Sequence, residues 1–132
     1  MTDTSTSSAF SAWPEAMVKE LEANRDNGHV GHKLVSETDA VRVWHLSLEP
    51  GERIGFHCHV LNYFWTALNG GRARSHYSDG RIADVNYVPG ETKHISFGAG
   101  DRMQHDLHNI GDTTLLFVTV EFKMGPNAPL QL

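Results

Sequence analysis

The feature that most constrains the fold is a series of short runs rich in β-branched and aromatic residues, which starts near Val30 and continues to Phe122. Gly, Pro, Asp and Asn interrupt these runs at intervals of roughly eight to twelve residues, and this spacing is typical of an all-β sandwich or barrel. The pattern predicts strands at residues 32–36, 41–48, 53–59, 62–68, 72–77, 82–88, 92–97, 103–109 and 114–122. So many short antiparallel strands favour a closed barrel or a two-sheet jelly roll.

The beginning of the chain has a different composition. Residues 1–13 are rich in Ser and Thr and have little to bury, which predicts a flexible N-terminal arm. Residues 14–28 predict a helix that packs on the barrel, because Pro14 suits the first helical turn and Gly28 marks an end. We therefore expect a single barrel domain over residues 29–132.

One turn gives a strong local signal. Asp79 and Gly80 separate two strand-like runs in the stretch YSDGRI. This dipeptide favours a tight hairpin in which both residues take positive φ. The sequence therefore predicts such a hairpin at these two residues.

Length and charge narrow the choice of partners. The chain has 132 residues and a net charge of -5, so it lacks the basic surface that nucleic acid or an anionic membrane requires. A small-molecule ligand is the expectation by elimination. No apolar run approaches the roughly 18 residues of a membrane span, and the start of the sequence lacks the features of a secretory signal. These observations, together with the single cysteine, Cys58, predict a cytoplasmic protein.

The stretch FHCHVLNYFW places His57 and His59 two residues apart on a predicted strand. Side chains alternate between the faces of a strand, so both imidazoles point the same way, about 7 Å apart, while Cys58 points outward. Neutral imidazoles bind Fe, Zn, Mn, Ni and Cu when a further ligand comes from a neighbouring strand. Taken alone, the pair is weak evidence for a metal site, and two polar residues on a strand that faces solvent are the first interpretation of such a pair.

Two longer motifs around these residues resemble those of the cupin family. The first cupin motif runs glycine, five residues, His, any residue, His, three or four residues, Glu, six residues, glycine, and the second ends in His, three residues, Asn, with a glycine soon after. The chain matches them at Gly51, His57, His59 and Gly70 in the first motif, and at His105, Asn109 and Gly111 in the second. The resemblance covers roughly residues 34–122.

The resemblance implies an all-β fold, an antiparallel double-stranded β-helix or jelly-roll barrel, to which the residues at the start of the chain add the short N-terminal helix predicted above. It also implies a homodimer and a metal site formed by His57, His59 and His105. The expected cofactor is a divalent transition metal, with Fe(II) in first place and Mn, Zn or Ni as alternatives.

The sequence departs from the cupin pattern in two places. Tyr63 stands where most metal-binding cupins have a glutamate ligand, and the usual Pro-x-Gly turn before the second-motif histidine is absent. Three roles for Tyr63 are open: a metal ligand, a hydrogen-bond donor to bound substrate, or a side chain that fills the barrel. His94, on the preceding strand, is a further candidate ligand, whereas His108 is predicted to face away from the site.

The leading hypothesis for function is a small metal-dependent enzyme, a non-haem Fe(II) dioxygenase whose small organic substrate chelates the metal. Tyr63 is the candidate catalytic residue. One alternative is a lyase or isomerase in which Mn, Zn or Ni acts as a Lewis acid. Another is a binding module that captures a small ligand without turnover, since one fold hosts many activities.

Overall fold

The computed structural model describes residue 10 and residues 12–132, and within them the chain forms one α-helix and nine β-strands. In chain order these are α1 (Glu15–Ala23), β1 (Lys33–Glu37), β2 (Val41–Leu48), β3 (Arg53–His59), β4 (Tyr63–Ala67), β5 (Gly71–His76), β6 (Ile82–Tyr87), β7 (Thr92–Ile95), β8 (Met103–Asn109) and β9 (Leu115–Phe122). Every predicted strand is present, within two residues of its predicted ends. In this part of the chain, no helix is both long enough and apolar enough to cross a bilayer.

The strands form two antiparallel sheets that enclose a common core. The five-stranded sheet has the order β1-β2-β9-β4-β7, and the four-stranded sheet has the order β3-β8-β5-β6. Strands far apart in sequence thus become neighbours: the C-terminal β9 pairs with β2 along its whole length, from Val41 opposite Phe122 to Leu48 opposite Leu115. This is the double-stranded β-helix arrangement that the sequence predicts.

The main core lies between the two sheets because alternate residues of each strand point inward. On β9 the alternation is regular, and Leu115, Phe117, Thr119 and Glu121 are buried while the residues between them are more exposed. Both sheets contribute to the core cluster, which consists of Leu46, Leu48, Ile54, Ala67, Ala73, Leu107, Leu115 and Phe117.

A second apolar cluster lies on the outer face of the four-stranded sheet, beneath α1. Trp13 stacks on Phe56 with ring centroids 5.6 Å apart, Phe10 packs edge-on against Trp13, and Leu21 closes the cluster. The prediction of a loose arm over residues 1–13 is therefore wrong at Phe10 and Trp13, whose rings cover apolar surface that the sheet leaves exposed. Residues 1–9 and 11 of that arm lie outside the described residues.

Charged groups fasten α1 to the same face. Arg53 on β3 donates two hydrogen bonds of 2.8 Å to the Glu20 carboxylate and one of 2.7 Å to Asp106. Asp106 is fully buried and also accepts hydrogen bonds from the backbone N–H and the ring of His76. Arg53 and His76 thus give this buried carboxylate the hydrogen-bond partners that its removal from water requires.

Two local predictions were wrong. The helix ends at Ala23 rather than Gly28, because Asn24 satisfies the last turn: its backbone N–H bonds to the carbonyl of Glu20, and its side chain donates to the same oxygen. In the hairpin, Gly80 has φ 91° but Asp79 does not have positive φ. The loop is one residue longer than predicted. The N–H of Gly80 donates to the carbonyl of Tyr77, and in a loop of this length Gly80 alone takes the left-handed conformation.

Candidate metal centre

Three histidines from two neighbouring strands meet inside the barrel. His57 and His59 lie on β3, and His105 lies on β8 directly opposite His57. One ring nitrogen of each lies within 4.8 Å of the others, and the Nε2 atoms of His59 and His105 are 3.1 Å apart. The structure thus brings together the three residues that the sequence singled out, although 46 positions separate the second from the third.

A bulge in β3 aims the first of these rings. The pairing of β3 with β8 shifts between Ile54 and His57. Nδ1 of His57 lies 2.8 Å from the carbonyl oxygen of Gly55, and because a carbonyl only accepts, Nδ1 must carry the proton. Nε2 of His57 therefore presents its lone pair to the interior, as a metal-binding imidazole with a backbone partner does.

Stacked tyrosines hold the other two rings. Tyr63 lies parallel to His59, with centroids 4.2 Å apart at 15°, and Tyr77 lies on His105 at 5.5 Å and 26°. The Nδ1 atoms of both histidines are buried and have no hydrogen-bond partner among the described residues. Packing, rather than hydrogen bonding, therefore sets the orientation of these two imidazoles.

The donor set fits a divalent first-row ion. Burial lowers the pKa of His57 to about 4 and holds the pKa values of His59 and His105 well below the usual 6.5, so all three rings are neutral near pH 7. With metal–nitrogen bonds of about 2.1 Å, two donors at roughly a right angle lie about 3 Å apart, close to the 3.1 Å between His59 and His105. The alternative is a hydrogen bond between the rings of His59 and His105, but such a bond would leave the inward-facing nitrogen of His57 without a partner.

Tyr63 lines the cavity next to this cluster. Its side chain is 4% exposed, and its hydroxyl makes no hydrogen bond with any described residue. Burial raises the pKa of the phenol above its usual value, so Tyr63 is neutral and able to donate. This placement favours a cavity wall with a free donor over a phenolate ligand.

A cavity of about 60 Å³ opens above the three histidines. Its wall is largely apolar and consists of Val30, Leu46, His57, His59, Tyr63, Trp65, Tyr87, His105, Leu107, Phe117 and Thr119. Such a pocket, with a few convergent polar groups, is the usual form of a small-ligand site.

The sequence reasoning missed one inward-facing carboxyl group. Glu121 on β9 is 3% exposed, and its Oε1 accepts a 2.8 Å hydrogen bond from Nε1 of Trp44. Burial raises its pKa from 4.5 to about 7. Alternation along β9 indicates this position, because Glu121 lies two residues after Thr119 and four after Phe117, on the same face of the strand.

The remaining candidates lie outside the centre. His94 is exposed on β7 and packs against Phe64 on the outer side of the five-stranded sheet, so it does not join the cluster. His108 faces outward as predicted and lies 3.2 Å from the carbonyl of Gly51. Cys58 also points outward, where it is buried beneath Arg102.

Comparison with solved structures identifies the fold. The chain is similar to a cupin domain from Bordetella pertussis, with a TM-score of 0.60 and 22% identity over 69% of this chain and 90% of that one. It is also similar to a Klebsiella pneumoniae protein with a double-stranded β-helix domain, with a TM-score of 0.54 and 24% identity over 74% of this chain and 81% of that one. An RmlC-like cupin family protein from Methanocaldococcus jannaschii has a TM-score of 0.53 and 21% identity over 66% of this chain and 73% of its own. No protein-family model and no curated protein matches the sequence.

Two antiparallel sheets with three clustered imidazoles between them define a double-stranded β-helix protein with a candidate metal centre. The protein has the cupin fold. The resemblance that the two sequence motifs indicate is therefore confirmed for the architecture.

Proposed function

We propose that the protein is a metal-dependent enzyme in which His57, His59 and His105 hold Fe(II), and that it acts as a dioxygenase on a small substrate that chelates the metal. The observation that carries the proposal is the meeting of three neutral imidazole nitrogens within 4.8 Å in a buried cavity. Fe(II) at such a site supplies open coordination positions and an electron source for reaction with dioxygen.

The side chains around the centre have separate tasks in this proposal. His57 keeps a fixed tautomer through the Gly55 carbonyl, which leaves its Nε2 free to bind. The free hydroxyl of Tyr63 donates a hydrogen bond to substrate oxygen and so orients it. Apolar side chains such as Leu46 and Phe117 exclude water from the reacting groups.

Metal content is the first test. Wild type, His57→Ala and His105→Ala are purified, loaded with Fe(II) without oxygen, desalted, and analysed for bound iron. We expect stoichiometric iron in the wild type and loss of tight binding in both variants. His108→Ala is the matched control, because it removes an outward-facing imidazole from the same strand as His105. Equal iron retention in all four proteins would refute the metal centre.

Oxygen uptake is the second test. The Fe(II)-loaded protein is given small thiols, diketones and short hydroxy acids in an oxygen electrode, and the products are analysed for both atoms of labelled dioxygen. Consumption of oxygen with incorporation of both atoms supports a dioxygenase. Turnover with Mn, Zn or Ni in the absence of oxygen would instead indicate a lyase or isomerase, and tight binding without turnover would indicate a binding module.

A further inference from the structure

The cavity offers hydrogen-bond donors that no protein group uses. Tyr63, Tyr87 and Thr119 line it, and the hydroxyl of each makes no hydrogen bond with any described residue. The fully buried polar side-chain atoms without a partner in the described residues belong to Trp13, His59 and His105, so these three hydroxyls are open to the cavity and free to donate to a ligand held there. Phenol hydroxyls donate most strongly to negatively charged oxygen.

Two of these donors are held in fixed positions. The ring of Tyr63 is stacked on His59, and the ring of Tyr87 meets Trp65 and Phe117 edge-on at 5.2 Å and 4.9 Å. Burial raises the pKa of Tyr87 to about 12, so this phenol is also neutral. Fixed donors lose little conformational freedom when they bind an acceptor, which increases affinity.

No charged side chain lines the cavity among the described residues. The carboxyl group of Glu121 also points inward, from β9, but it accepts a hydrogen bond from the indole of Trp44. Asp106 lies on the outer face of the four-stranded sheet and is paired with Arg53. A divalent ion held by three neutral imidazoles would therefore bring its whole charge into a buried space. Uncompensated buried charge is costly, so the ligand must supply the negative charge.

The cavity is narrow, with a volume of about 60 Å³, and it opens to solvent on one side. Its volume therefore restricts the part of a ligand that lies next to the histidines, and not the full length of the ligand. A carboxylate with an adjacent hydroxyl or oxo oxygen is compact enough for that space.

We propose that the ligand of this cavity is a carboxylate of the α-hydroxy or α-oxo acid class, which places charged oxygen on the metal and accepts hydrogen bonds from Tyr63 and Tyr87. The inference rests on the metal-binding part of the proposed function. It specifies the class of substrate for the same site.

Glycolate and glycolamide form a matched pair of probes, because they have the same number of non-hydrogen atoms and differ in charge. Each is titrated into the Co(II)-loaded protein, and binding is followed by the visible absorption of the metal. We expect glycolate to bind at least about tenfold more tightly than glycolamide, because two tyrosine hydroxyls donate more strongly to a charged oxygen than to a neutral one.

Variants test the named donors. Tyr63→Phe keeps the ring on His59 and should retain Co(II), yet weaken glycolate binding roughly tenfold or more. Tyr87→Phe should weaken it similarly. Thr66→Val is the control, because it removes a hydroxyl that bonds to Thr92 on the exposed side of the same strand as Tyr63.

The outcomes separate this inference from the proposed function. Equal affinity for the two probes, or full glycolate affinity in both tyrosine variants, would overturn the carboxylate assignment while the metal centre stands. Failure of the protein to retain Co(II) would overturn both. Preference for glycolate in a protein that consumes no oxygen would support the carboxylate site and count against the dioxygenase alone.

Discussion

Replacing Glu121 with Gln should stabilise the protein at high pH and have little effect at low pH. Glutamine matches the protonated acid in shape and keeps an oxygen that accepts the hydrogen bond from Trp44. The groups that face Glu121 are Arg42 on β2, Glu37 on β1 and Tyr63 on β4. The positive charge of Arg42 does not outweigh burial, and the carboxyl group keeps its proton to higher pH than in the unfolded chain.

The magnitude follows from linkage. The pKa of Glu121 rises from 4.5 in the unfolded chain to about 7 in the fold, and each unit corresponds to about 1.4 kcal/mol, so the full effect is roughly 3 kcal/mol. Between these values this carboxyl group binds more protons in the folded state, so the contribution of Glu121 to wild-type stability falls as the pH rises from about 4.5 through 7. The Gln variant has no such loss.

Urea denaturation of the metal-free proteins at pH values from about 4.5 to 8 measures the difference. His57, His59 and His105 have lowered pKa values and favour the fold as the pH rises, but they contribute equally to both proteins and cancel in the comparison. We expect the variant to gain roughly 3 kcal/mol over the wild type across the range. A difference that is constant with pH would refute the assignment of a raised pKa to Glu121.

Three further substitutions test the packing around the site. Arg53→Met should cost roughly 3 kcal/mol in urea denaturation by leaving the buried Asp106 carboxylate without its cation, and adding Asp106→Asn should recover part of that loss. Asn109→Ala should lower the melting temperature by the equivalent of about 2–4 kcal/mol, because two backbone carbonyls lose the amide that donates to them; an unchanged transition would contradict this. In Gly31→Ala the new Cβ would lie 2.8 Å from Cβ of Trp44, so calorimetry should show a loss of about 1–3 kcal/mol, and a stabilised variant would argue against the close approach.

The sequence predicted the strands because each run of β-branched and aromatic residues ends at a turn-forming residue. It also predicted which face His57 and His59 share, because alternation along β3 survives the bulge that precedes them. The meeting with His105 depends on the pairing of strands that are distant in sequence. Motif spacing, and not local periodicity, indicated that contact.

Other features could not be read from local pattern. The outer side of the five-stranded sheet is also apolar, with Phe64 and Val120 as partners there, so hydrophobicity alone did not say which face of β4 or β9 is inside. Trp13 is buried only because α1 folds back over Phe56, a tertiary contact. The homodimer and the cytoplasmic location stay predictions that sedimentation and fractionation would test.

The position of β3 has a consequence for how the centre assembles and comes apart. It is an edge strand, and within residues 12–132 its sole neighbour in the sheet is β8. One strand pair therefore carries all three imidazoles, and local separation of that pair would release a bound ion while the rest of the barrel stays folded. The rate at which a chelator removes the ion should then measure how often β3 separates from β8.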